Sequence, residues 1–455
     1  MTTGATVDVR EVLERTRVGP LRIGVVAVCA LVALLDGFDL QIIGLAAPSL
    51  AKALAIPTAS LGTVFSAALL GLAVGGLAVA PLADRVGRRT VLLAAVLCFA
   101  VFTLATAVAT GLPSLLTYRF LTGLGLGSAL PCAVSLASEY VPARRRAATA
   151  GLLFAGLPVG GVLAGALGSL VLPATGWQGL FVIGGIVPVV VAVVMAVWLP
   201  ESLTSLVARG APAARIARVV ARVAPGEDVA PGTRFVGVEA GARGVPVGRL
   251  VERGRRTPTV LLWASSFAVF LVLVVNSSWT PTLLAPLGLP VPRTAVALAL
   301  FNAGSVVATA AGGWLIQRYG ARAVIPPAFV LAAVGVLGVG LLAPSLAGVA
   351  AMEVLVGLGL GAASSGVVAL AAVAYPTAFR STGVGWAMGV GRIGSFVGPL
   401  VVAALVAASW AVPGVFGVLA AICLVGGLTA LALRARRDDG ASASSTDAPV
   451  AGGVA

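Results

Sequence analysis

Apolar residues dominate the chain in twelve runs, at about 22–46, 58–82, 90–110, 114–138, 147–171, 179–199, 258–282, 293–316, 322–343, 347–373, 383–407 and 412–433. Each is long enough to cross about 30 Å of hydrocarbon as a helix. They are apolar all round rather than along one stripe, as helices with lipid on one side and other helices on the other must be. Polar residues collect in three places: residues 1–21, the Arg-, Pro- and Gly-rich stretch 200–257, and a Ser-, Asp- and Gly-containing tail over 434–455. The pattern predicts an all-α integral membrane protein. It divides into an N-terminal tail, a six-helix bundle over 22–199, a linker over 200–257 with a short helix near 213–223, a second six-helix bundle over 258–433, and a disordered tail. Because the first 20 residues are polar, no cleavable signal peptide is expected before the first span.

Composition sharpens this picture. The chain is 59% hydrophobic and 10% charged, with a mean hydropathy of +1.08, outside the range of soluble domains. Its formal charge of +14 would suit a polyanionic partner, but the placement argues otherwise. With the N-terminus set in the cytoplasm, 26 of the 30 basic residues fall on cytoplasmic segments, two outside (Lys52, Arg293) and two within spans (Arg119, Arg392). That is the positive-inside pattern. Both termini are therefore expected in the cytoplasm, and the partners expected are the lipid bilayer and a small solute, with no nucleic acid. The four cysteines fall within spans, so no disulfide framework is expected. The chain has no histidine, no metal-ligand cluster and no nucleophile–base set, which argues against an enzyme and against a metal or organic cofactor.

The two halves repeat one another. RFLTGLGLG (119–127) aligns with EVLVGLGLG (353–361) at an offset of 234, and PLADRVGRR (81–89) with WLIQRYGAR (314–322) at an offset of 233. Parallel repeats of this kind build secondary transporters whose site lies between the halves. Three sets of residues resemble the major facilitator superfamily: ADRVGRR (83–89), RFLTGLGLG in span four and PESL (200–203). More narrowly, DGFD (36–39), SSWTPTLL (277–284), PVGRLVERGRRTPTVLLW (246–263) and YPTAFRSTGVGWAMGVGRIGSFVGP (375–399) resemble the aromatic acid:proton symporters. The resemblance implies twelve transmembrane helices in two bundles, alternating access, a cell-membrane location and proton-coupled uptake of a benzoate- or hydroxybenzoate-class carboxylate, with function as a monomer expected. The chain departs from the superfamily's loop pattern at Ala80, where a glycine is usual, and at Gln317, where an aspartate is common.

Charges inside spans are costly and mark function. At a rise of 1.5 Å per residue, Asp36 lies about 21 Å and Asp39 about 25 Å above the cytoplasmic edge, and Arg119 at roughly the height of Asp36. An Asp36–Arg119 interaction is therefore expected if helices one and four both line the cavity. Asp36, Asp39 and Arg119 are the candidates for proton coupling, with Asp36 the first choice as carrier. Arg392, near mid-height of span eleven, is the candidate anchor for a carboxylate, because its planar guanidinium presents paired donors; Glu353, at the position of Arg119 in the second half, is a possible partner for it. Phe38, Gln41, Asn276, Trp279, Asn302, Ser364 and Trp386 are candidate walls and donors around a ring. Asp84, Arg85, Arg88, Glu139 and Arg380 are candidates for a cytoplasmic gate. A proton-driven exporter of the same superfamily is the alternative reading, although LPVGG (157–161) matches the exporter element GPxxGG only in part.

Overall fold

The computed structural model describes residues 6–16, 18–225, 233–236, 252, 256–375 and 380–444. Two short strands, β1 (Thr6–Asp8) and β2 (Arg234–Val236), pair in parallel; the rest is helical. The helices are α1 (Val9–Arg15), α2 (Pro20–Ala53), α3 (Leu61–Val74), α4 (Leu82–Val86), α5 (Arg88–Ala107), α6 (Leu112–Glu139), α7 (Ala143–Trp198), α8 (Leu203–Ala208) and α9 (Ala213–Val223). They continue with α10 (Arg256–Leu284), α11 (Val291–Tyr319), α12 (Ala321–Leu342), α13 (Leu346–Ala374), α14 (Arg380–Ala407) and α15 (Val412–Ser444). The short helix expected near 213–223 is α9.

Among the described residues, eleven helices are long and apolar enough to cross a bilayer. The difference from twelve lies in α7, a 56-residue element broken at Gly176, whose backbone (φ 70°, ψ −169°) is not helical. At 1.5 Å per residue such a helix would run about 84 Å if straight, far beyond a bilayer. The arms on either side of Gly176 occupy the fifth and sixth expected spans, joined by a glycine turn instead of a loop. The repeat is visible in the backbone as well. Gly87 (φ 115°) and Gly320 (φ 83°) end α4 and α11 and start α5 and α12. Both glycines occupy positive φ, which side chains other than glycine resist. PLADRVGRR and WLIQRYGAR therefore form equivalent corners.

Helices α2, α3, α5, α6 and α7 pack with one another, and α10 to α15 do likewise. The two groups meet mainly where α2 packs on α10, α3 on α14 and α7 on α11, with α2 also touching α11. The meeting line is built on small residues that let backbones approach closely. A Cβ on Gly44 would lie 2.4 Å from the Ser277 carbonyl oxygen, and one on Gly62 2.7 Å from that of Pro399. Polar links across the seam are few. Gln41 Nε2 donates to the Ser277 oxygen (3.3 Å), Asn302 Nδ2 donates to Gln41 Oε1 (3.2 Å), and Ser66 Oγ donates to the Phe396 oxygen (2.8 Å). All of these lie away from the arginine-rich loops, so the seam is closed toward the far face.

The arginine-rich face carries a cap on the N-terminal bundle. Arg22, fully buried, donates to the carbonyls of Leu13 (2.8 Å), Thr16 (3.2 Å) and Tyr140 (2.7 Å) and to the Thr16 hydroxyl (3.2 Å). Glu14 accepts from the Ala143 amide and from Arg146. Ile216, Val220 and Val223 of α9 are buried in the same cluster as Val9, Val12 and Leu13. Tyr140 donates its hydroxyl to the Glu201 carbonyl (2.7 Å), and burial pushes its phenol up from the usual range, so it stays a donor.

Candidate functional site

The two aspartates of DGFD have different environments. Asp39 sits in a bidentate pair with Arg119, Oδ2 to Nη2 at 2.7 Å and Oδ1 to Nη1 at 3.3 Å. Thr103 of α5 donates its hydroxyl to Asp39 Oδ1 at 2.9 Å, and the guanidinium lies 5.9 Å from the Phe181 ring centre. Both charges are fully enclosed. The expected Asp36–Arg119 partnership is thus replaced by Asp39–Arg119. The reason is directional: side chains on a helix lean toward its N-terminal end. α6 starts at the far face, so Arg119 leans that way, toward the more distant aspartate.

Among the described residues, Asp36 has no cation in contact. It is 3% exposed, and its Oδ1 has no hydrogen-bond partner. Among its charged neighbours are Asp39, one turn along α2, and Arg392 of α14, of opposite sign. Among the described residues, Arg392 has no ion pair within 4.0 Å and is exposed to a cavity of about 600 Å3. This cavity opens toward the arginine-rich face. Pro131, Val134, Ser135 and Ser138 form one face of α6 along it, with Met388 and Arg392 of α14 opposite. Arg10, Leu13, Arg88, Glu139 and Arg146 stand at its mouth. The volume falls within the range of small-molecule pockets.

Of the candidates for ring contact, none lines this cavity among the described residues. Gln41 and Asn302 hold the seam, and Trp279 is fully buried with its ring edge-on to Phe65 at 5.5 Å. Phe38 is buried in the apolar core beside Gly184. Asn276 Nδ2 donates to Glu353 Oε2 at 2.8 Å, so Glu353 partners Asn276 rather than Arg392. Ser364 donates to its own helix at the Gly361 carbonyl (3.0 Å). Trp386 stacks on Trp263 at 5.8 Å.

Of the candidate gate residues, Arg88 pairs with Glu139 and lies 3.6 Å from Asp84. Ser202 Oγ and Thr204 Oγ1 each donate to Glu139 at 2.5 Å. This network joins α4, α5, α6 and α8, all on one bundle, and it is formed while the cavity on that face is open. Arg85 is exposed and makes no ion pair among the described residues. Arg380 begins α14, and its side chain lies outside the described residues, as do 376–379.

Several polar residues around the site escaped the sequence reading. Thr103 is a lone hydroxyl in an apolar span. Ser135 and Ser138, with Pro131 and Val134, recur at i, i+3, i+4 and i+7, a spacing that marks one helix face. Glu201 of PESL accepts from the Arg89 amide at 3.0 Å and lies 3.7 Å from Arg209; its position in a quoted motif was the available signal.

The Major Facilitator Superfamily model matches residues 29–290 and 262–452. The chain is 36% identical over 408 residues to the 4-hydroxybenzoate transporter PcaK of Pseudomonas putida, covering 90% of this chain and 91% of that protein. It is 34% identical over 433 residues to a gallate transporter of Pseudomonas putida, covering 94% and 95%. Its fold matches a crystal structure of a bacterial homologue of the human lysosomal transporter Spinster, in an inward-facing and unoccupied conformation. That match has a TM-score of 0.65 and 19% identity, covering 91% of this chain and 94% of the other.

Proposed function

The chain belongs to the major facilitator superfamily, a multi-pass transporter of the cell membrane rather than an enzyme, and on that premise we propose that it imports an aromatic monocarboxylate of the benzoate or hydroxybenzoate class together with protons. The substrate class rests on relatives named for 4-hydroxybenzoate and gallate. The coupling reading is supported by two groups left without a partner: Asp36, buried with Oδ1 unbonded, and Arg392, a cation on the cavity with no ion pair among the described residues, each opposite in charge to the other.

The chemistry follows from those opposite charges. An ionised Asp36 and an incoming carboxylate compete for the same guanidinium. A proton on Asp36 leaves Arg392 free for the substrate, and a substrate on Arg392 makes the proton on Asp36 easier to keep. The two ligands therefore favour each other, as thermodynamic linkage requires. Asp39 is already held by Arg119 and Thr103, so it can take a proton only by giving up an ion pair; Asp36 exchanges one without doing so. Arg remains charged throughout.

With the arginine-rich face set in the cytoplasm by the positive-inside rule, the structure is open inward and sealed outward. Entry of a monovalent anion into a cell that is negative inside works against about 2.3 kcal/mol per 100 mV, which one accompanying proton cancels.

The test is uptake of labelled 4-hydroxybenzoate, benzoate and gallate into proteoliposomes under an imposed pH gradient, wild type beside Asp36→Asn. Accumulation of one acid, lost in Asp36→Asn while counterflow exchange survives, supports proton-coupled import. No accumulation of any of the three would sink the substrate class. Accumulation only under the reversed gradient would make the protein an exporter.

A further inference from the structure

Glu353 of α13 is the one buried carboxyl that the mechanism above leaves unused in the C-terminal bundle. It is fully enclosed, its Oε2 accepts from Asn276 Nδ2 at 2.8 Å, and its Oε1 has no partner. Thr280 Oγ1 lies 3.5 Å from Asn276 Oδ1, which fixes the amide with its NH2 toward the carboxyl. The helices packed against α13 are α10, α11, α12 and α14. Their charged and titratable groups are Arg256, Arg293, Arg318, Tyr319, Arg322, Arg380 and Arg392. Arg392 faces the cavity and the others stand near helix ends. Among the described residues none of them forms an ion pair with Glu353, whose side-chain hydrogen bond is to Asn276.

The contrast with the other bundle is chemical. The internal repeat sets Glu353 where the first half has Arg119; where Arg119 meets Asp39 on the first helix of its bundle, Glu353 meets Asn276 on the first helix of the other. The first is an ion pair that balances its own charge; the second has a carboxyl and a neutral amide. A carboxylate enclosed without a cation costs several kcal/mol, whereas a carboxylic acid there leaves no net charge to bury.

We infer that Glu353 is a proton-binding site of the C-terminal bundle, holding a proton on Oε1 while the outer seam is closed and exchanging it with outside water when the seam opens. The route rests on the alternating access proposed above. Ser277, next to Asn276, lies on the seam, where its carbonyl accepts from Gln41 and its backbone meets Gly44. Glu353 is seven residues from the start of α13, about 10 Å from the outer end of that helix. The inward cavity ends at Pro131 and Arg392 and does not reach it. The proton on Glu353 therefore returns to the side it came from. It conditions closure of the outer seam and adds nothing to the number of protons carried.

Two readouts test this. The first is infrared difference spectroscopy of purified protein without substrate, wild type against Glu353→Gln. A carboxylic-acid C=O band present in wild type and lost in Glu353→Gln is expected, and in Asn276→Leu that band should move to the position of an acid without a donor. A difference containing only carboxylate bands overturns the site. The second is counterflow at increasingly alkaline external pH in the Asp36→Asn background, where exchange survives and Asp36 itself no longer titrates. With Glu353 intact, exchange should fall above the midpoint, where the protonated fraction drops about tenfold per unit. Adding Glu353→Gln, which mimics the protonated form, should make the profile flat, and Glu353→Gln alone should leave the proton-to-substrate ratio unchanged. A parallel fall in both proteins, or a changed ratio, overturns the exchange route. Because the infrared arm needs no substrate, it stands or falls separately from the aromatic-acid assignment.

Discussion

The linkage between Asp36 and Arg392 predicts a specific pH dependence of substrate binding. The perturbation is Asp36→Asn, which keeps the shape of the protonated acid and removes its charge. The two groups form no ion pair within 4.0 Å, and Arg392 faces an open cavity where water screens it. Two unit charges about 8 Å apart at an effective dielectric of about 20 interact by about 2 kcal/mol; with the extra screening we take about 1–2 kcal/mol for this pair. One factor of ten is about 1.4 kcal/mol, so ionising Asp36 should weaken carboxylate binding about 5- to 30-fold. The sign is fixed: wild-type affinity is highest where Asp36 carries its proton and declines as pH rises through its titration. Asp36→Asn should hold the high-affinity plateau at all pH values at which the substrate is ionised. The assay is equilibrium binding of 4-hydroxybenzoate to protein in nanodiscs across that range, with Arg392→Lys as a third sample. Lysine keeps the charge but loses the paired donors, so it should bind more weakly yet keep the pH slope. If Asp36→Asn lost affinity with pH as steeply as wild type, the shared-cation reasoning would be wrong.

Further consequences follow from other contacts. Arg119→Leu leaves Asp39 enclosed with only the Thr103 hydroxyl, a change that should cost about 3–5 kcal/mol. Its thermal midpoint should fall sharply and recover in part when Asp39→Asn is added; an unchanged midpoint would mean the pair is not enclosed as described. Gly44→Val places a side chain within 2.4 Å of the Ser277 oxygen and should hold the outer seam apart. A cysteine introduced at Ser277 should then label several-fold faster from outside, and equal labelling rates would count against the seam. Arg22→Met removes the donors to Leu13, Thr16 and Tyr140. Limited proteolysis within residues 9–16 should speed up while the spans stay resistant, and undiminished protection would contradict the role of Arg22 as the tie.

Much of the architecture was legible because a bilayer leaves few options: spans must be long, apolar and helical. The repeat was equally readable, since Gly87 and Gly320 need positive φ at matching places. The spacing of DGFD put two aspartates about a turn apart, and heights along the axis selected Asp36 as the partner of Arg119, where the structure pairs Asp39. That choice turned on the lean of a long arginine side chain, which residue heights along the axis do not contain. Gln41, Asn302 and Trp279 carried the same ambiguity: a polar or aromatic residue in a span reads alike whether it meets a solute or another helix. Here they close the seam, a property of one conformation rather than of composition. Glu353 was visible as the counterpart of Arg119, but its isolation became apparent only once its neighbours were known to be uncharged.

The outer seam has a consequence for what can drive the protein between its two states. Its contacts are backbone against small side chains and the edge-on rings of Trp279 and Phe65, with few hydrogen bonds and, among the described residues, no ion pair across it. Dispersion between close-packed atoms is indifferent to ionic strength and has no partner ions to be screened. The seal therefore opens without breaking an ion pair, at the cost of its hydrogen bonds and of the dispersion between closely packed backbones. Salt should leave that cost nearly unchanged, so the glycines of the seam act as a bearing whose friction is set by packing alone.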